Sequence, residues 1–423
     1  MTDGSNKDLV YRREDCRLCG SKKVKLVLAL TPTPPANAFV PKDALSESQP
    51  TFPLDVFQCQ SCGHTQLCDV VNPDHLFRNY VYVSGTSPAF VKHFEDYAKS
   101  ISRRLGRAKG LVIDIGSNDG TLLGAFKSMG YDVLGIDPAR EIASRASANG
   151  IETIPSFFDQ SVAENILDKY GQASIITANN VFAHSDHLDE ILEGVRLLLQ
   201  DDGLFVIEVS YLVDVVEKIL FDTIYHEHLA YHALTPLITF FQNHGLSIIG
   251  AERVNSHGGS IRIIATPNAG PRANEKETKV DELVRTEAEV GLLQPEVFEQ
   301  MGTRILKLRD QVVEKLKSFR ADGLSVAGFG APAKATTLMY HFGLGPDEIE
   351  FIIDDSPLKQ NLYSPGLHVP VIDNSILESD QRPDVLVVLA WNFADVIVEK
   401  NWAFAQRGGK FLIPLPEVKV VQA

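Results

Sequence analysis

The sequence lacks any apolar run approaching the roughly 20 residues that a bilayer-spanning helix requires, and Met1 to Lys7 hold no apolar signal core. Both absences lead to the expectation of a cytoplasmic protein without a membrane partner. Basic charge is also scarce: 40 Lys and Arg stand against 55 Asp and Glu, a formal net charge of −15. Nucleic-acid binding needs a basic stripe to displace counterions, so no nucleic-acid partner is expected. A small anionic ligand stays compatible, because a few local donors can hold a phosphate on an acidic protein. Internal repeats and low-complexity stretches are missing, which excludes repeat architectures. Cysteine is sparse, at five in 423 residues, which excludes a disulfide-built fold and leaves metal binding or free thiols.

Four of those cysteines form two knuckles, Cys16-Arg17-Leu18-Cys19-Gly20 and Cys59-Gln60-Ser61-Cys62-Gly63. Four thiolates satisfy a tetrahedral Zn²⁺, and the closed shell makes the ion structural. A small module around them lacks a core of its own, so the metal would supply folding energy. Cys68 reads as a small buried hydrophobe, and four cysteines leave no vacancy for His64.

A chain of this length implies two or three domains. The segments Leu111–Ile115, Asp132–Ile136, Ser174–Ala178 and Leu204–Glu208 read as strands separated by helical patterns, the rhythm of a parallel sheet covered on both faces. Met301, Ile305, Leu308, Val312 and Leu316 mark one face of a later helix. A second alternation follows, with strands at Leu324–Gly328, Glu350–Ile353 and Val385–Leu389. The expected fold class is α/β: a zinc-binding module over 1–80, a Rossmann-like domain over 81–285 with a parallel-rich sheet, and a second Rossmann-like domain over 286–423.

The turn Asp114-Ile115-Gly116-Ser117-Asn118-Asp119-Gly120 ends a strand and opens a helix. Its glycines do not have the G-x-G-x-x-G spacing of a dinucleotide site, and its carboxylates would repel a pyrophosphate. They suit a cationic, amine-bearing ligand, while Asp137 at the end of the next strand can accept hydrogen bonds from a ribose. S-adenosylmethionine combines these needs. The bland alternative is a Rossmann-like turn with structural glycines.

The order of zinc knuckles, D-I-G-x-N-D-G, N-N-V-F-A-H, Y-x-E-H, H-G-G-S-x-R and G-x-G-A-P-A-K resembles the nucleotide-sugar C-3′-methyltransferases of branched deoxysugar biosynthesis, from Cys16 to about Trp391. The resemblance implies a class I S-adenosylmethionine methyltransferase domain whose cofactor residues are Asp114, Gly116, Asn118, Asp119, Gly120, Asp137 and Asn179. It implies a nucleotide-diphosphate 4-keto-deoxysugar as substrate and His228 of Tyr225-His226-Glu227-His228 as the base. His184 and Tyr225 become polar partners of the ketone, and Glu227 anchors the sugar or orients a histidine.

Tyr80, Tyr82, His257, Ser260, Arg262, Lys334 and Asp354 fall to the substrate side, with Arg262 and Lys334 as diphosphate anchors. Arg262 as a plain strand-face charge, and the last glycine-rich turn as a bare Rossmann feature, stay open. A metal site at His226, Glu227, His228 and His232 is a rival, although H-E-H is not the H-E-x-x-H of metalloproteases. His187, His232 and His244 each read as ordinary. Rival functions are O- or N-methylation of another small molecule, or zinc-dependent nucleotide-sugar binding without turnover. A monomer is expected, since the two outer modules can flank the cofactor domain.

Overall fold

The computed structural model describes residues 9–77, 88–107, 109–256 and 258–423. Its central sheet has seven strands in the order Leu246–Val254, Ser260–Pro267, Leu199–Ser210, Ala173–Asn179, Leu111–Ile115, Asp132–Ile136 and Thr153–Ile154. Strands at 111–115 and 173–179 are almost wholly buried, as a sheet covered on both faces demands. Ser260–Pro267 runs antiparallel to both neighbours while the other pairs of this sheet are parallel, which agrees with the parallel-rich sheet expected. The cause of the antiparallel pairing is the short connection after Leu246–Val254, since a parallel return needs a crossover of a dozen residues or more. This arrangement is the class I methyltransferase fold. The first strand, Leu111–Ile115, pairs with strands on both sides, and the glycine-rich turn emerges where the strand order reverses.

The zinc module extends beyond the N-terminal segment. Its antiparallel sheet runs Ala230–Tyr231, Thr65–Leu67, Val56–Cys59 and Val24–Leu28. The first of these strands comes from the middle of the chain, pairing Ala230 with Gln66 and Tyr231 with Thr65. Leu28, Leu54, Val56 and Leu67 are buried in one cluster with residues of both α/β domains.

The last domain has a six-stranded sheet, Val371–Ile372, Ile352–Ile353, Val326–Phe329, Val385–Val388, Lys410–Ile413 and Lys419–Val421, parallel except for the final strand. The long helix Glu296–Ala321 buries Phe298, Met301, Ile305, Leu308, Val312, Leu316 and Phe319. It packs on Val24–Leu28, on the helix Leu212–Glu217 and on the helix Ala333–Phe342, so one amphipathic face ties the three modules together. Among the described residues no helix is long and apolar enough to cross a membrane.

One buried carboxylate organises the far side of the cofactor domain. Glu287, fully buried on the helix Thr278–Val290, accepts hydrogen bonds from the Tyr211 hydroxyl (2.9 Å), the Leu234 and Thr235 amides (2.6 and 2.9 Å) and the Thr235 hydroxyl (2.5 Å). It thereby caps the start of Leu234–Asn243 from another helix, satisfying amides that the helix cannot. Glu287→Ala strands these donors in the interior, at about 3 kcal/mol. The expected thermal melt falls by about 5 °C or more; a shift within about 1 °C would remove Glu287 as an organising contact.

Candidate active site and metal centre

The four knuckle sulfurs lie within 4.8 Å of one another. Cys16 and Cys62 Sγ are 3.6 Å apart, as are Cys19 and Cys59 Sγ. Zinc–sulfur bonds of about 2.3 Å in a tetrahedron place sulfurs about 3.8 Å apart, so the set fits a zinc ion closely. The Ser61 amide points at Cys59 Sγ (3.4 Å), the kind of support that thiolates receive from neighbouring backbone. Among the described residues these cysteines form the one group with metal-ligand geometry. The rival histidine site is overturned: His226 Nε2 faces the Phe52 and Pro53 carbonyls (3.3 and 3.2 Å), whereas His232 packs against His64 with centroids 5.7 Å apart. Burial pushes both His226 and His232 down to about 4, so both are neutral core histidines.

The cofactor loop sits at the carboxyl ends of three adjacent strands. Gly116 has φ of 71°, and an added Cβ would come within 2.2 Å of Val181 Cγ2, so only glycine fits. Asp137 accepts from the Asn118 amide (2.8 Å) and the Ala139 amide (2.9 Å), and Asp119 caps the helix Thr121–Ser128 through Thr121. Asp114 is buried and accepts from the Thr177 hydroxyl (2.6 Å). Burial raises its carboxyl to about 7; the Thr177 bond opposes the rise, and the charge on Asp137 adds to it. Among the described residues neither aspartate pairs with Lys or Arg. Two buried acids without a counter-ion suit a cationic ligand, so the donor set fits S-adenosylmethionine. Asn179, at the end of the neighbouring strand, lies beside the Tyr97 hydroxyl.

The second cluster is built on the turn that follows Phe221–Thr223. His228 Nδ1–H donates to the Thr223 carbonyl (2.8 Å), which leaves Nε2 as the basic nitrogen. The Tyr225 and His184 rings lie 4.1 and 5.0 Å from the His228 ring, centroid to centroid. Phe77, at the end of the zinc module, stacks on His184 at 5.5 Å. Burial, with the charge of His228 second, holds His184 well below the usual imidazole range. Glu227 is buried and accepts from Asn37 Nδ2 (2.8 Å).

Several of the residues expected on the substrate side make contacts within the protein. Every Arg262 nitrogen is engaged: Nε and Nη2 bond Glu208 Oε2 (3.0 and 2.8 Å), and Nη1 bonds Glu252 (2.9 Å). Its guanidinium lies 4.3 Å over the Tyr97 ring. A diphosphate would have to break a buried pair, so Arg262 is a scaffold residue. Ser260 is buried and donates to the Ser256 carbonyl (3.1 Å). Asp354 accepts from the Ala331 and Ser356 amides (2.6 and 2.9 Å), holding the last glycine-rich turn. Lys334 Nζ lies 3.8 Å from Asp222 Oδ2, and its side chain is 12% exposed. Tyr80, Tyr82 and His257 lie outside the described residues. The sequence reading missed Asn37, Thr177, Glu208 and Asp222. Asn37 sits in a proline-rich stretch that reads as a loop, and nothing local marks its partner.

Profiles of three families match successive parts of the chain: "Putative zinc binding domain" over residues 16–77, "Methyltransferase domain" over 90–250 and "C-methyltransferase C-terminal domain" over 255–416. The curated C-methyltransferase NovU of Streptomyces niveus is 36% identical over 417 residues, 98% of this chain and 99% of NovU. Among solved structures, PH0226 from Pyrococcus horikoshii aligns with 44% of this chain and 94% of its own length, at 14% identity and a TM-score of 0.35. Magnesium protoporphyrin IX methyltransferase from Synechocystis aligns with 42% and 81%, at 15% identity and a TM-score of 0.32.

Elemental analysis should find about one zinc ion per chain. Cys59→Ser should lose most of it and lower the melting temperature, because the zinc module pairs through Ala230–Tyr231 with a segment of the central domain. Full zinc occupancy in that variant would contradict the four-thiolate assignment.

Proposed function

The chain belongs to the C-methyltransferase family, and on that premise we propose that it methylates C-3 of a nucleotide-diphosphate 4-keto-deoxysugar. The observation that carries this reading is the His228 tautomer. With Nδ1–H committed to the Thr223 carbonyl, the basic nitrogen is Nε2, on a half-buried ring beside Tyr225 and His184. Carbon methylation next to a ketone needs such a base, whereas methylation of an already nucleophilic oxygen or nitrogen does not.

S-adenosylmethionine, held by Asp114, Asp137 and the Gly116–Gly120 turn, supplies an electrophilic methyl group. His228 Nε2 takes the proton from C-3, and the electron pair of that C–H bond moves toward the ketone oxygen. Tyr225 donates a hydrogen bond to the developing oxyanion. His184 is neutral, so it serves as a neutral imidazole donor or a proton relay and adds no positive charge that would oppose protonation of His228. The C-3 carbanion would then bond to that methyl carbon as the methyl–sulfur bond broke, its electron pair staying on the sulfur of the departing S-adenosylhomocysteine. Glu227, held by Asn37, fixes the turn or meets a sugar hydroxyl. Tyr80, Tyr82 and His257 are the remaining proposed sugar contacts.

The test is mass spectrometry of reactions containing S-adenosylmethionine and a panel of dTDP-, GDP- and CDP-4-keto-deoxysugars. One added methyl group on a ring carbon, located by NMR, is expected for one member of the panel. His228→Asn should cut that rate by about 100-fold or more. A methyl group on oxygen or nitrogen, made undiminished by His228→Asn, would overturn the reading.

A further inference from the structure

The catalytic turn is gripped from behind by the C-terminal domain. Thr337 Oγ1–H donates to the Ile224 carbonyl (2.7 Å), one residue beyond the carbonyl that receives His228 Nδ1–H. One residue before it, the Asp222 carboxylate accepts from Trp391 Nε1–H (2.6 Å). Lys334 Nζ stands 3.8 Å from the same carboxylate oxygen and 4.1 Å over the Trp391 ring. Phe221 stacks on Phe342 at 5.3 Å. Lys334 and Thr337 are one turn apart on the helix Ala333–Phe342, so one helix face reaches the whole segment.

We propose that the C-terminal domain positions the catalytic base, with Thr337, Trp391 and Lys334 holding the segment Asp222–Ile224 so that the Thr223 carbonyl fixes the tautomer and direction of His228. Lys334, which the sequence reading gave to the diphosphate, is thus a positioning residue. The inference rests on the reading of His228 as the base.

Burial supplies the physical reason. Asp222 is fully buried and Lys334 nearly so; burial raises the Asp222 carboxyl and lowers the Lys334 ammonium, and each is opposed by the other's charge. A pair of this kind adds little net stability but strongly penalises any arrangement that separates it. The Ile224 carbonyl is likewise costly to leave unbonded. The three carbonyl and carboxylate acceptors lie on consecutive residues, so the Thr223 carbonyl is bracketed on both sides. A misplacement of about 1 Å at a base is enough to cost up to 100-fold in rate.

The test uses the full-length, zinc-loaded protein labelled with ¹⁵N-histidine. His228→Asn assigns the His228 imidazole signals in long-range ¹H–¹⁵N spectra. Wild type is expected to show the single Nδ1–H tautomer. Thr337→Val, which keeps the shape but removes the donor, should convert it to a mixture, and Thr337→Ser should restore it. With dTDP-4-keto-6-deoxyglucose as acceptor, Thr337→Val should lower kcat about tenfold. The KM for acceptor and the Kd for S-adenosylmethionine should stay within about twofold, and Thr337→Ser should recover most of the rate.

If Thr337→Val does not fold, Trp391→Phe provides the same comparison at the other bracket. Unchanged His228 signals in a folded variant would overturn the proposal. So would a lower melting temperature with kcat intact. If the tautomer shifts as expected but His228→Asn still transfers methyl, the positioning contact stands and the assignment of the base fails.

Discussion

The structure depends on how the segment Phe221–Tyr231 is held. The C-terminal domain grips its start through Trp391 on Asp222 and Thr337 on Ile224. The N-terminal module reaches its middle through Asn37 on Glu227. Its end is itself a strand of the zinc-module sheet. Between the short helix Phe221–Thr223 and the strand Ala230–Tyr231 the chain has no regular element, so its conformation there depends on contacts with the surrounding modules. Loss of zinc, of the long helix Glu296–Ala321 or of the last domain would therefore converge on the side chains of this one segment, including the proposed base His228.

Two buried ion pairs, one of them on that segment, are built alike. Arg262 pairs with Glu208 while lying over Tyr97, and Lys334 faces Asp222 while lying over Trp391. In each, an aromatic face shares the cation with a carboxylate removed from water. Such pairs are weak sources of stability, because desolvation offsets most of the attraction. Their effect is geometric: a displaced partner leaves an uncompensated charge in the interior. The cofactor loop uses the opposite arrangement. Asp114 and Asp137 are buried without a cation among the described residues, and that burial pushes the Asp114 carboxyl up to about 7. One kind of buried acid meets a cation of the protein; the other meets backbone amides and a hydroxyl.

What was legible in the sequence was local. The strands Leu111–Ile115 and Asp132–Ile136 have the bounds expected, because short apolar runs bounded by glycine and aspartate carry their own signal. The face Met301 to Leu316 follows helical period and is buried as read. The cysteine knuckles are close in space because their spacing already implied it. Non-local pairings were not legible. The two-residue strand Ala230–Tyr231 is too short to have a period, and its partner lies more than a hundred residues earlier. Arg262 and Lys334 show the same limit from another side: a basic residue beside a glycine-rich turn reads as an anion anchor, and only the fold shows that a buried carboxylate has already claimed it. Asn37 is bound to Glu227 across nearly half the chain, in a stretch whose prolines announce only that it is a loop.

The central claim is that His228 makes a carbanion before any methyl group is transferred. The most direct measurement is deuterium uptake at C-3 of the sugar in D₂O, with S-adenosylhomocysteine in place of the methyl donor. Wild type should exchange that proton at a rate comparable with turnover, and His228→Asn should suppress exchange by about 100-fold. Equal exchange in the two proteins, or none in a wild-type enzyme that methylates carbon, would contradict the account.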